Sequence, residues 1–300
     1  MTVTHESKND KRNDNILINI NGELIERDRA RISVFDSGFL LGDGVWEGLR
    51  LYHEKWVFLN AHLDRLFDAA KAINLDIGYS RDIIYEMLEN TRIANNMSTD
   101  VHARLMVTRG PKSRPFQHPK LSIYGSTLVI IMEHSLPSDS LLKGIKLASV
   151  PQIRGLPHSQ DPKLNSHSKL NCVLACIQAE SAGADEALML DPLGFVNTTN
   201  SCNFFIVRDD QVWTSTGDYC MNGITRQKVI EVCLKNNISV FQKNFSLAEV
   251  YSASEAFITG TFGGQTFVKE IDKHKMGEGE IGPLTSQIKN LYLDLIKNEG

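Results

Sequence analysis

Residues 161–191 read DPKLNSHSKLNCVLACIQAESAGADEALMLD and combine two kinds of secondary structure. Their first half carries four apolar residues at helical spacing, namely Leu170, Val173, Leu174 and Ile177. That spacing predicts an amphipathic helix. The second half, DEALMLD, is a short and nearly continuous apolar run, which is typical of a buried strand. The segment therefore predicts a helix followed directly by a core strand.

The rest of the chain mixes strand-like and helix-like stretches without a strict strand-helix-strand order. An alternating run with the step Asn21, Gly22 comes first and is typical of a tight hairpin. Helical spacing recurs in HLDRLFDAAKAINL, RDIIYEMLENTRIANN, TRQKVIEVCLKNNI and LTSQIKNLYLDLIKN. Strand character recurs in VHARLMVTRG, STLVIIME, GIKLASV, FFIVRDDQVWTST and EAFITGT. The mixture predicts an α+β architecture rather than a doubly wound parallel sheet.

The chain length and a polar interruption of the pattern predict two domains. The chain has 300 residues, which exceeds one ordinary hydrophobic core, and the polar stretch EHSLPSDS interrupts the pattern. We expect a disordered tail at residues 1–15, an N-terminal α+β domain at 16–135, a linker at 136–144 and a C-terminal domain at 145–300.

The composition is that of a globular protein, with 42% hydrophobic and 23% charged residues and a formal net charge of -4. Because Lys and Arg are scattered, the charge pattern argues against nucleic-acid and membrane partners. No apolar run reaches the roughly 18 residues that a membrane-spanning helix needs, and the polar N-terminal residues lack the apolar core of a secretory signal. The five cysteines are an odd number without metal-ligand spacing, so we expect reduced thiols, no bound metal and a cytoplasmic location.

Two short stretches have the features of anion-binding sites. In NGITRQKVI, Asn222 and Gly223 precede a predicted helix that begins near Thr225, so free N–H groups and the positive end of the helix dipole can receive a phosphate. In TGTFGGQT, Gly260 lets the backbone approach a ligand closely, and the flanking threonines supply hydroxyl groups. Taken alone, each stretch is more simply interpreted as a helix cap or a glycine turn. Two of them in one domain predict a phosphorylated ligand.

Cationic residues are further candidates. Arg65 in HLDRL shares a helical face with His62. The planar guanidinium of Arg65 suits phosphate recognition. The simpler interpretations are that Arg65 is a surface arginine and that His62 is a structural histidine. The loop TRGPKSRPFQHP carries Arg109, Lys112 and Arg114. These cations can receive a carboxylate, but we favour a solvated connection between two strands.

Seven motifs, taken in chain order, resemble those of the class IV, fold-type IV pyridoxal-phosphate enzymes. They are GDGVWEGLR, HLDRL, VTRG, AGADEALMLD, NGITR, TGTFGGQT and GEGEIGPLT, and the resemblance covers nearly the whole chain from Ile16 onward. The family includes branched-chain aminotransferases, D-amino-acid transaminases, (R)-selective amine transaminases and aminodeoxychorismate lyases. It implies a two-domain fold with a smaller N-terminal α/β domain. The larger C-terminal cofactor-binding domain has helices around a mixed, barrel-like β core.

The resemblance also implies cofactor residues. Arg65 is similar to the family arginine on the phosphate of pyridoxal 5'-phosphate. Ile224 and Thr225 look like the helix N-terminus beneath that phosphate. Thr261 and Phe262 look like its second phosphate loop. These positions coincide with the two anion-binding stretches that the residues themselves predict.

The substrate signals conflict. Trp46 in VWEGLR looks like part of an aromatic wall in the substrate pocket of branched-chain enzymes. Arg114 is similar to the arginine with which D-amino-acid transaminases hold the substrate carboxylate, but Phe116 stands where they have a histidine. The substrate class therefore stays open.

One departure from the family concerns the pyridine nitrogen. Relatives place a glutamate there to keep the nitrogen protonated, so that the ring can act as an electron sink. In this chain Thr198 occupies the position, and a neutral hydroxyl stabilises the positive charge less well. Asp191, Glu180 or a water-mediated group are the compensating candidates.

The second departure concerns the catalytic lysine. With DPKLNSHSKLN in register, Asn165 stands at the lysine position, and asparagine cannot form a Schiff base. Lys169 falls where relatives place a large residue against the cofactor, and its stem of about 6 Å can bridge the displacement. Lys163 is the alternative, and the absence of any covalent link is a third possibility. Ser166, His167 and Ser168 can orient the amine or relay protons.

The resemblance therefore implies an aminotransferase that moves an amino group between a small amino acid or amine and a 2-oxo acid by a ping-pong mechanism. Two other functions stay open: a lyase of the aminodeoxychorismate type, and a non-catalytic cofactor-binding homologue motivated by Asn165 and Thr198. Family members complete the active site from a neighbouring subunit, which implies a homodimer or a higher homo-oligomer.

Overall fold

The computed structural model describes residues 9–136 and 141–299, and these divide into two packing units. The N-terminal unit contains residues 9–136 together with residues 165–169. The C-terminal unit contains residues 141–164 and 170–299. Residues 165–169 belong to the N-terminal unit because they pair with one of its strands.

The predicted domain ranges 16–135 and 145–300 assign residues 165–169 to the C-terminal domain, whereas these residues pack with the N-terminal unit. Residues 137–140 of the predicted linker lie outside the described part of the chain, and Leu141–Lys143 form a turn of 3-10 helix. The difference arises because strand pairing joins residues that are distant in the sequence, whereas a boundary drawn from composition follows the chain.

The predicted disordered tail is ordered over part of its length. Lys11–Asn15 form a 3-10 helix, and Asn13 exchanges hydrogen bonds with the backbone of His134, donating at 2.9 Å and accepting at 2.8 Å. The prediction missed this anchor because a polar composition does not reveal a distant backbone partner. Residues 1–8 of the predicted tail lie outside the described residues.

A six-stranded sheet forms the N-terminal unit. Its strands are β1 (Leu17–Ile20), β2 (Glu23–Glu26), β3 (Gly44–Tyr52), β4 (Lys55–Trp56), β5 (Val101–Thr108) and β6 (Thr127–His134). They pair antiparallel in the order β2-β1-β6-β5-β3-β4. β1 and β2 form the predicted hairpin, and Asn21 and Gly22 have the positive φ angles that its tight turn requires.

Three helices accompany this sheet, namely α1 (Ser37–Leu41), α2 (Leu59–Ala72) and α3 (Arg81–Ala94). The predicted apolar stripes of α2 and α3 are buried at Leu63, Leu66, Ile84 and Leu88. Each such side chain contributes about 2 kcal/mol by leaving water. Amphipathic spacing thus fixes which face of each helix packs inward.

The C-terminal unit contains a second sheet with helices around it. Its strands are β7 (Ile145–Ser149), β8 (Glu186–Leu190), β9 (Val196–Thr199), β10 (Asn203–Arg208), β11 (Gln211–Thr214), β12 (Val240–Gln242), β13 (Glu255–Gly260), β14 (Gly264–Ile271) and β15 (His274–Lys275). Its helices are α4 (Pro157–Gln160), α5 (Leu170–Ser181), α6 (Ile224–Lys235), α7 (Leu247–Tyr251) and α8 (Pro283–Glu299). Among the described helices, none is long and apolar enough to span a membrane.

The second sheet closes on itself. Its order is β12-β11-β10-β13-β14-β7-β8-β9, and β9 pairs with β10 as well as with β8, so the strands from β10 to β9 form a ring. The pairs of β7 with β14 and with β8 are parallel, whereas the other pairs within the ring are antiparallel. Phe204, Ile206, Ile258 and Val268 belong to the buried core of this unit. This is the mixed, barrel-like β core that the family resemblance implies.

Helix α5 packs through small residues. Ala175 and Ala179 are buried against Ala148, Ala187 and other residues of β7 and β8. The four apolar residues that define its predicted face are instead 41–70% exposed in this chain: Leu170, Val173, Leu174 and Ile177. Alanine permits a close approach of helix and sheet, so the larger side chains point away from the unit's own core.

Candidate functional site

The first predicted anion site lies at the N-terminus of α6. Gly223 is the N-cap residue in an extended conformation, and no side-chain hydrogen bond caps the helix. The N–H groups of the first turn have no acceptor within a helix, and Ile224 and Thr225 are both buried. Residues 223–225, called here the α6 anion site, therefore combine the backbone donors of Ile224 and Thr225 with the positive end of the helix dipole.

Asn203 on β10 positions this helix terminus. Its Oδ1 accepts a hydrogen bond from the Gly223 N–H at 3.2 Å, and its Nδ2 donates to the Met221 carbonyl oxygen at 2.9 Å. A Cβ atom added to Gly223 would overlap Asn203 Oδ1. A side chain at this N-cap would therefore force Asn203 or the helix terminus to shift. Sequence reasoning missed Asn203, because nothing local distinguishes it from any other polar residue in a strand.

The sheet register gathers the predicted cofactor residues around Asn203. On one side it stands opposite Thr198 of β9, and on the other it stands opposite Thr259 of β13. Thr259 leads into the turn that contains Thr261 and Phe262. The three predicted elements of the C-terminal unit are thus neighbours in space.

The turn after β13 is the second predicted anion site. The Thr259 hydroxyl is buried and has no hydrogen-bond partner among the described residues. A Cβ atom on Gly260 would lie 2.9 Å from Cys202 Sγ, so glycine permits the close packing here. Phe262 helps to line a small cavity between Cys202 and the turn. Burial raises the pKa of the Cys202 thiol, which keeps it neutral.

The hydroxyl proton of Thr198 is already used in a hydrogen bond within the protein. The hydroxyl is buried and donates to the Cys202 carbonyl oxygen at 2.5 Å, so towards a ligand it can act only as an acceptor. The two carboxylates that the sequence offered as compensation have different surroundings. Asp191 Oδ1 accepts two backbone N–H groups of the following turn, and Glu180 is exposed on α5.

A different carboxylate lies close by in the structure. Glu186, the first residue of β8, is buried, and its Oε1 accepts a hydrogen bond from Ser201 Oγ at 2.6 Å. Its Oε2 has no partner within the described part of the chain. Sequence reasoning missed this residue because DEALMLD was interpreted only as a core strand. A charged residue within a buried run was the signal that could have found it.

In the N-terminal unit, Arg65 is held by a buried carboxylate. Its Nε and Nη2 donate to the two oxygens of Glu47 at 2.8 and 2.6 Å, and His62 Nδ1 lies 2.7 Å from Glu47 Oε2. Burial alone would raise the pKa of Glu47, but the hydrogen bonds from Arg65 and His62 outweigh it and hold the pKa below its usual value. Glu47 therefore orients the arginine fork and offsets part of its charge.

The segment 165–169 pairs with β3. The Trp46 N–H donates to the Asn165 carbonyl oxygen at 3.0 Å, and the His167 N–H donates to the Gly44 carbonyl oxygen at 2.9 Å. Asn165 Nδ2 donates to the Trp46 carbonyl oxygen at 2.6 Å, and Trp46 Nε1 donates to the Ser166 carbonyl oxygen at 3.1 Å. Asn165 is buried, so its amide is a structural brace of the strand.

The two candidate lysines have different environments. The Lys169 ammonium lies 5.7 Å from the centroid of the Trp46 ring in the N-terminal unit. Lys163 is exposed in a turn of the C-terminal unit, where its N–H donates to Asp161 Oδ1 at 2.9 Å. His167 Nε2 lies 3.1 Å from the Val45 carbonyl oxygen, and burial lowers the pKa of this histidine, so it is neutral near pH 7.

Arg104 is a candidate that sequence reasoning missed. Its guanidinium lies 3.8 Å from the Trp46 ring centroid, and no carboxylate among the described residues pairs with it. Burial lowers the pKa of Arg104, as expected for a cation without an adjacent anion. The signal was an arginine at an alternating position inside the largely apolar strand VHARLMVT.

The loop cations separate in the structure. Arg109 donates to both oxygens of Asp43 at 2.8 and 2.9 Å. Lys112 is buried, and its ammonium donates to the His118 carbonyl oxygen at 3.3 Å and to the Ser122 hydroxyl at 3.2 Å. Both residues hold the loop together. Arg114 is exposed.

Comparison with known proteins identifies the group to which this geometry belongs. The model of the family described as amino-transferase class IV matches residues 44–271. The branched-chain-amino-acid aminotransferase-like protein 2 of Arabidopsis thaliana is 39% identical over 288 residues, which are 96% of this chain and 52% of that one. The chain thus spans about half the length of that relative.

A second relative matches over nearly its full length. The branched-chain-amino-acid aminotransferase of Pseudomonas aeruginosa is 34% identical over 287 residues, covering 93% of this chain and 92% of that one. The solved structure of the T.th. branched-chain amino acid aminotransferase with pyridoxamine 5'-phosphate has a TM-score of 0.87 at 26% identity, and 94% of each chain is covered. This likeness, together with the ring-closed mixed sheet, confirms the predicted α+β, fold-type IV architecture.

Proposed function

The chain belongs to the class IV aminotransferase family, and from this membership we propose that it is a pyridoxal-phosphate-dependent aminotransferase. Its reaction moves an amino group between a small amino acid or amine and a 2-oxo acid in two half-reactions. The observation that carries the proposal is the gathering of Thr198, the α6 anion site and the turn after β13 around Asn203. A lyase or a non-catalytic homologue is not favoured by the comparisons.

The residues of the C-terminal unit fit the phosphate of such a cofactor. The N–H groups of Ile224 and Thr225 are donors at a helix N-terminus, and the buried Thr259 hydroxyl has no partner of its own among the described residues. Thr261 and Phe262 continue from it in the adjoining turn. When bound, pyridoxal phosphate supplies an electron sink for the bonds of the substrate carbon. The neutral Thr198 would accept a hydrogen bond from the ring nitrogen without balancing its charge.

Arg65 is proposed as a further phosphate ligand. Glu47 and His62 support this role because they fix the arginine fork in one orientation before a ligand arrives. Preorganisation lowers the entropy lost on binding. Glu47 offsets part of the positive charge of Arg65. Arg65 therefore contributes to phosphate binding mainly through the geometry of its hydrogen bonds.

Lys169 is proposed as the amine that attaches to the cofactor aldehyde. Asn165 is committed to the Trp46 backbone and has no amine, whereas the Lys169 ammonium already contacts the Trp46 ring. Lys163 is the alternative, and it lies in a turn whose backbone is held by Asp161. The neutral amine is the form that can attack a carbonyl and later carry a proton.

Arg104 and Trp46 are proposed to bind the substrate. The Arg104 guanidinium has no carboxylate among the described residues, so the carboxylate of an amino acid or 2-oxo acid is a suitable partner. The Trp46 ring beside it offers an apolar surface for the substrate side chain. Arg114 stays an alternative carboxylate ligand.

We propose a homodimer or larger homo-oligomer. Two segments of the N-terminal unit expose large apolar residues, and a β-bridge between Asp36 and Pro111 joins these segments. The six exposed residues are Val34, Phe35, Phe39, Phe116, Ile123 and Tyr124. Apolar residues exposed together mark protein interfaces. The five free cysteines support a reducing, cytoplasmic location, which fractionation of cells that produce the protein would check.

The activity is tested directly with the purified chain. It is incubated with pyridoxal phosphate, a panel of L-amino acids, D-amino acids and amines, and 2-oxoglutarate, and the amino acid product is quantified by mass spectrometry. Many product molecules per chain are expected with at least one donor. Pyruvate release from an amino acid without any acceptor would instead show a lyase, and no turnover with any donor would contradict the proposal.

A further inference from the structure

Arg226, the third residue of α6, is a buried cation whose hydrogen-bond partners among the described residues are all neutral. The residue is 4% exposed, and Nη2 donates to the Ser215 carbonyl oxygen at 2.7 Å and to Gln242 Oε1 at 2.9 Å. Nη1 donates to Asn222 Oδ1 at 3.5 Å. Its Nε has no partner within the described part of the chain. A buried guanidinium without an anion is unusual, because buried charges are normally paired.

The guanidinium lies at the same end of α6 as the anion site. A helical side chain leans towards the N-terminus of its helix, and the hydrogen bonds to Ser215 and Asn222 show that Arg226 does so. A Cβ atom on Gly217 would lie 3.6 Å from Arg226 Nη2, so the segment 215–223 packs closely over the cation. This is the segment that leads into Ile224.

A second arginine adds to the positive potential of this region. Arg154 Nη1 contacts Cys172 Sγ at 3.0 Å, and its Nε is also buried without a partner among the described residues. Burial raises the pKa of the Cys220 thiol, and the charges of Arg226 and Arg154 both act against that rise. Asp218 is the acidic residue that acts on Cys220, and it is exposed.

We propose that the buried positive charge of Arg226 attracts a phosphate group bound at the α6 anion site. It is a positioning residue that acts through its field and through the segment 215–223, and it does not touch the phosphate. The inference rests on the proposed function and deepens it. It assigns the charge of the site to an arginine inside the helix's own first turn, in addition to the backbone donors of Ile224 and Thr225.

The size of the effect follows from Coulomb's law. For two unit charges about 10 Å apart at an effective dielectric constant of about 20, the interaction corresponds to roughly a tenfold to twentyfold change in affinity. A phosphate dianion would feel more than this. Removal of the charge should therefore raise the phosphate concentration needed for half-saturation by at least about tenfold.

The test measures thermal unfolding of the full chain, dialysed free of phosphate, as inorganic phosphate is added against potassium chloride of equal ionic strength. The wild type should gain stability with phosphate, because a ligand that binds the folded state raises the melting temperature. Arg226→Met should need at least about tenfold more phosphate for the same gain. Arg226→Lys keeps the charge and should retain most of the response.

Arg208→Met is the matched control, because Arg208 belongs to the same unit and has its own partner in Asp209 at 3.6 Å. Its phosphate response should equal that of the wild type. A merely structural Arg226 would lower the melting temperature equally with and without phosphate and leave the gain unchanged, which would overturn the inference. Loss of the response in Arg226→Lys as great as in Arg226→Met would overturn it as well, since charge would then not matter.

Titration with pyridoxamine 5'-phosphate separates the two proposals. If the wild type binds neither this compound nor phosphate, the proposed function fails. If the wild type binds both and Arg226→Met binds both equally well, the role of Arg226 fails while the proposed function stands.

Discussion

Trp46 contacts three candidate site residues of the N-terminal unit, namely Asn165, Arg104 and Lys169. Its backbone pairs with Asn165, and its ring receives the Arg104 guanidinium at 3.8 Å and the Lys169 ammonium at 5.7 Å. Cations over an indole face gain about 0.5–2 kcal/mol. One aromatic side chain therefore holds a candidate carboxylate ligand and a candidate amine near each other, while Asn165 secures the strand beneath them.

The lysine assignment predicts where the cofactor attaches. After reduction with borohydride in the presence of pyridoxal phosphate, peptide mass spectrometry of the wild type should find the adduct on Lys169. Lys169→Ala should lose both the adduct and the absorbance band of the lysine-bound cofactor, whereas Lys163→Ala should keep them. An adduct that persists in Lys169→Ala and disappears in Lys163→Ala would reverse the assignment.

The carboxylate assignment predicts a binding defect in Arg104→Met. Because a charged hydrogen-bond partner contributes about 1.5–3 kcal/mol, KM for the 2-oxo acid should rise at least about tenfold. Amine donors that lack a carboxylate should be affected much less in their own half-reaction. Arg81→Met, at an exposed arginine paired with Asp64, serves as control. Equal losses for acids and amines would argue against a carboxylate contact.

Among the elements, the N-terminus of α6 depends on one packing contact. Asn203 of β10 occupies the space where a side chain at position 223 would project, and it also accepts the Gly223 N–H. A strand residue thus decides how the helix begins. The anion site is for this reason a joint property of α6, β10 and β13.

Gly223→Ala should disrupt this arrangement. The added Cβ would overlap Asn203 Oδ1, so the helix terminus must shift, and affinity for pyridoxamine 5'-phosphate measured by calorimetry should fall about tenfold or more. Gly155→Ala is the matched control, because its Cβ would have only an ordinary contact of 3.5 Å. The double variant with Asn203→Ala should recover part of the affinity. A tight-binding Gly223→Ala variant would refute the packing argument.

For the whole molecule, the buried group of Glu47, His62 and Arg65 links pH to stability. The pKa of Glu47 is lowered in the folded state, so its ionised form stabilises the fold above the ordinary carboxyl pKa. That stabilisation is lost as the pH falls through the lowered value. Acid therefore acts on the fold and on the orientation of Arg65 together.

Glu47→Gln should remove this dependence. Loss of one partner of a buried ion pair costs about 3–5 kcal/mol, so urea unfolding near pH 7 should show a large loss of stability. The remaining stability should fall less steeply between about pH 5 and pH 3 than that of the wild type. Glu133→Gln, at an exposed position of β6, should match the wild type. Parallel pH profiles for Glu47→Gln and the wild type would contradict the assignment.

The exposed apolar residues predict the state of association. Phe39 and Phe116 are 69% and 58% exposed in the single chain. If they lie in a subunit interface, the double variant Phe39→Asp, Phe116→Asp should elute as a monomer in size-exclusion chromatography with light scattering, whereas the wild type should be a dimer or larger. Leu142 is an exposed apolar residue outside these two segments, so Leu142→Asp should leave the assembly intact. An unchanged mass for the double variant would place the interface elsewhere.

Local patterns were sufficient for much of the fold and for the family. The stripes of α2 and α3, the Asn21, Gly22 hairpin and the strand DEALMLD follow from side-chain periodicity and turn chemistry, which act over a few residues. The seven motifs point to the family in the same local way. The two anion stretches were recognisable because two groups of glycine and hydroxyl residues occur in one predicted domain, although each alone is more simply a helix cap or a glycine turn.

The amino-acid sequence by itself determined the α+β class, the family and the position of Asn165 where a lysine was expected. Tertiary structure alone decided that Asn203 joins Thr198 to the anion sites, that Glu47 holds Arg65, and that Asn165 braces Trp46. The reason is physical. Periodicity is a property of neighbouring residues, whereas hydrogen-bond partners, burial and uncompensated charge depend on which distant strands the fold places side by side.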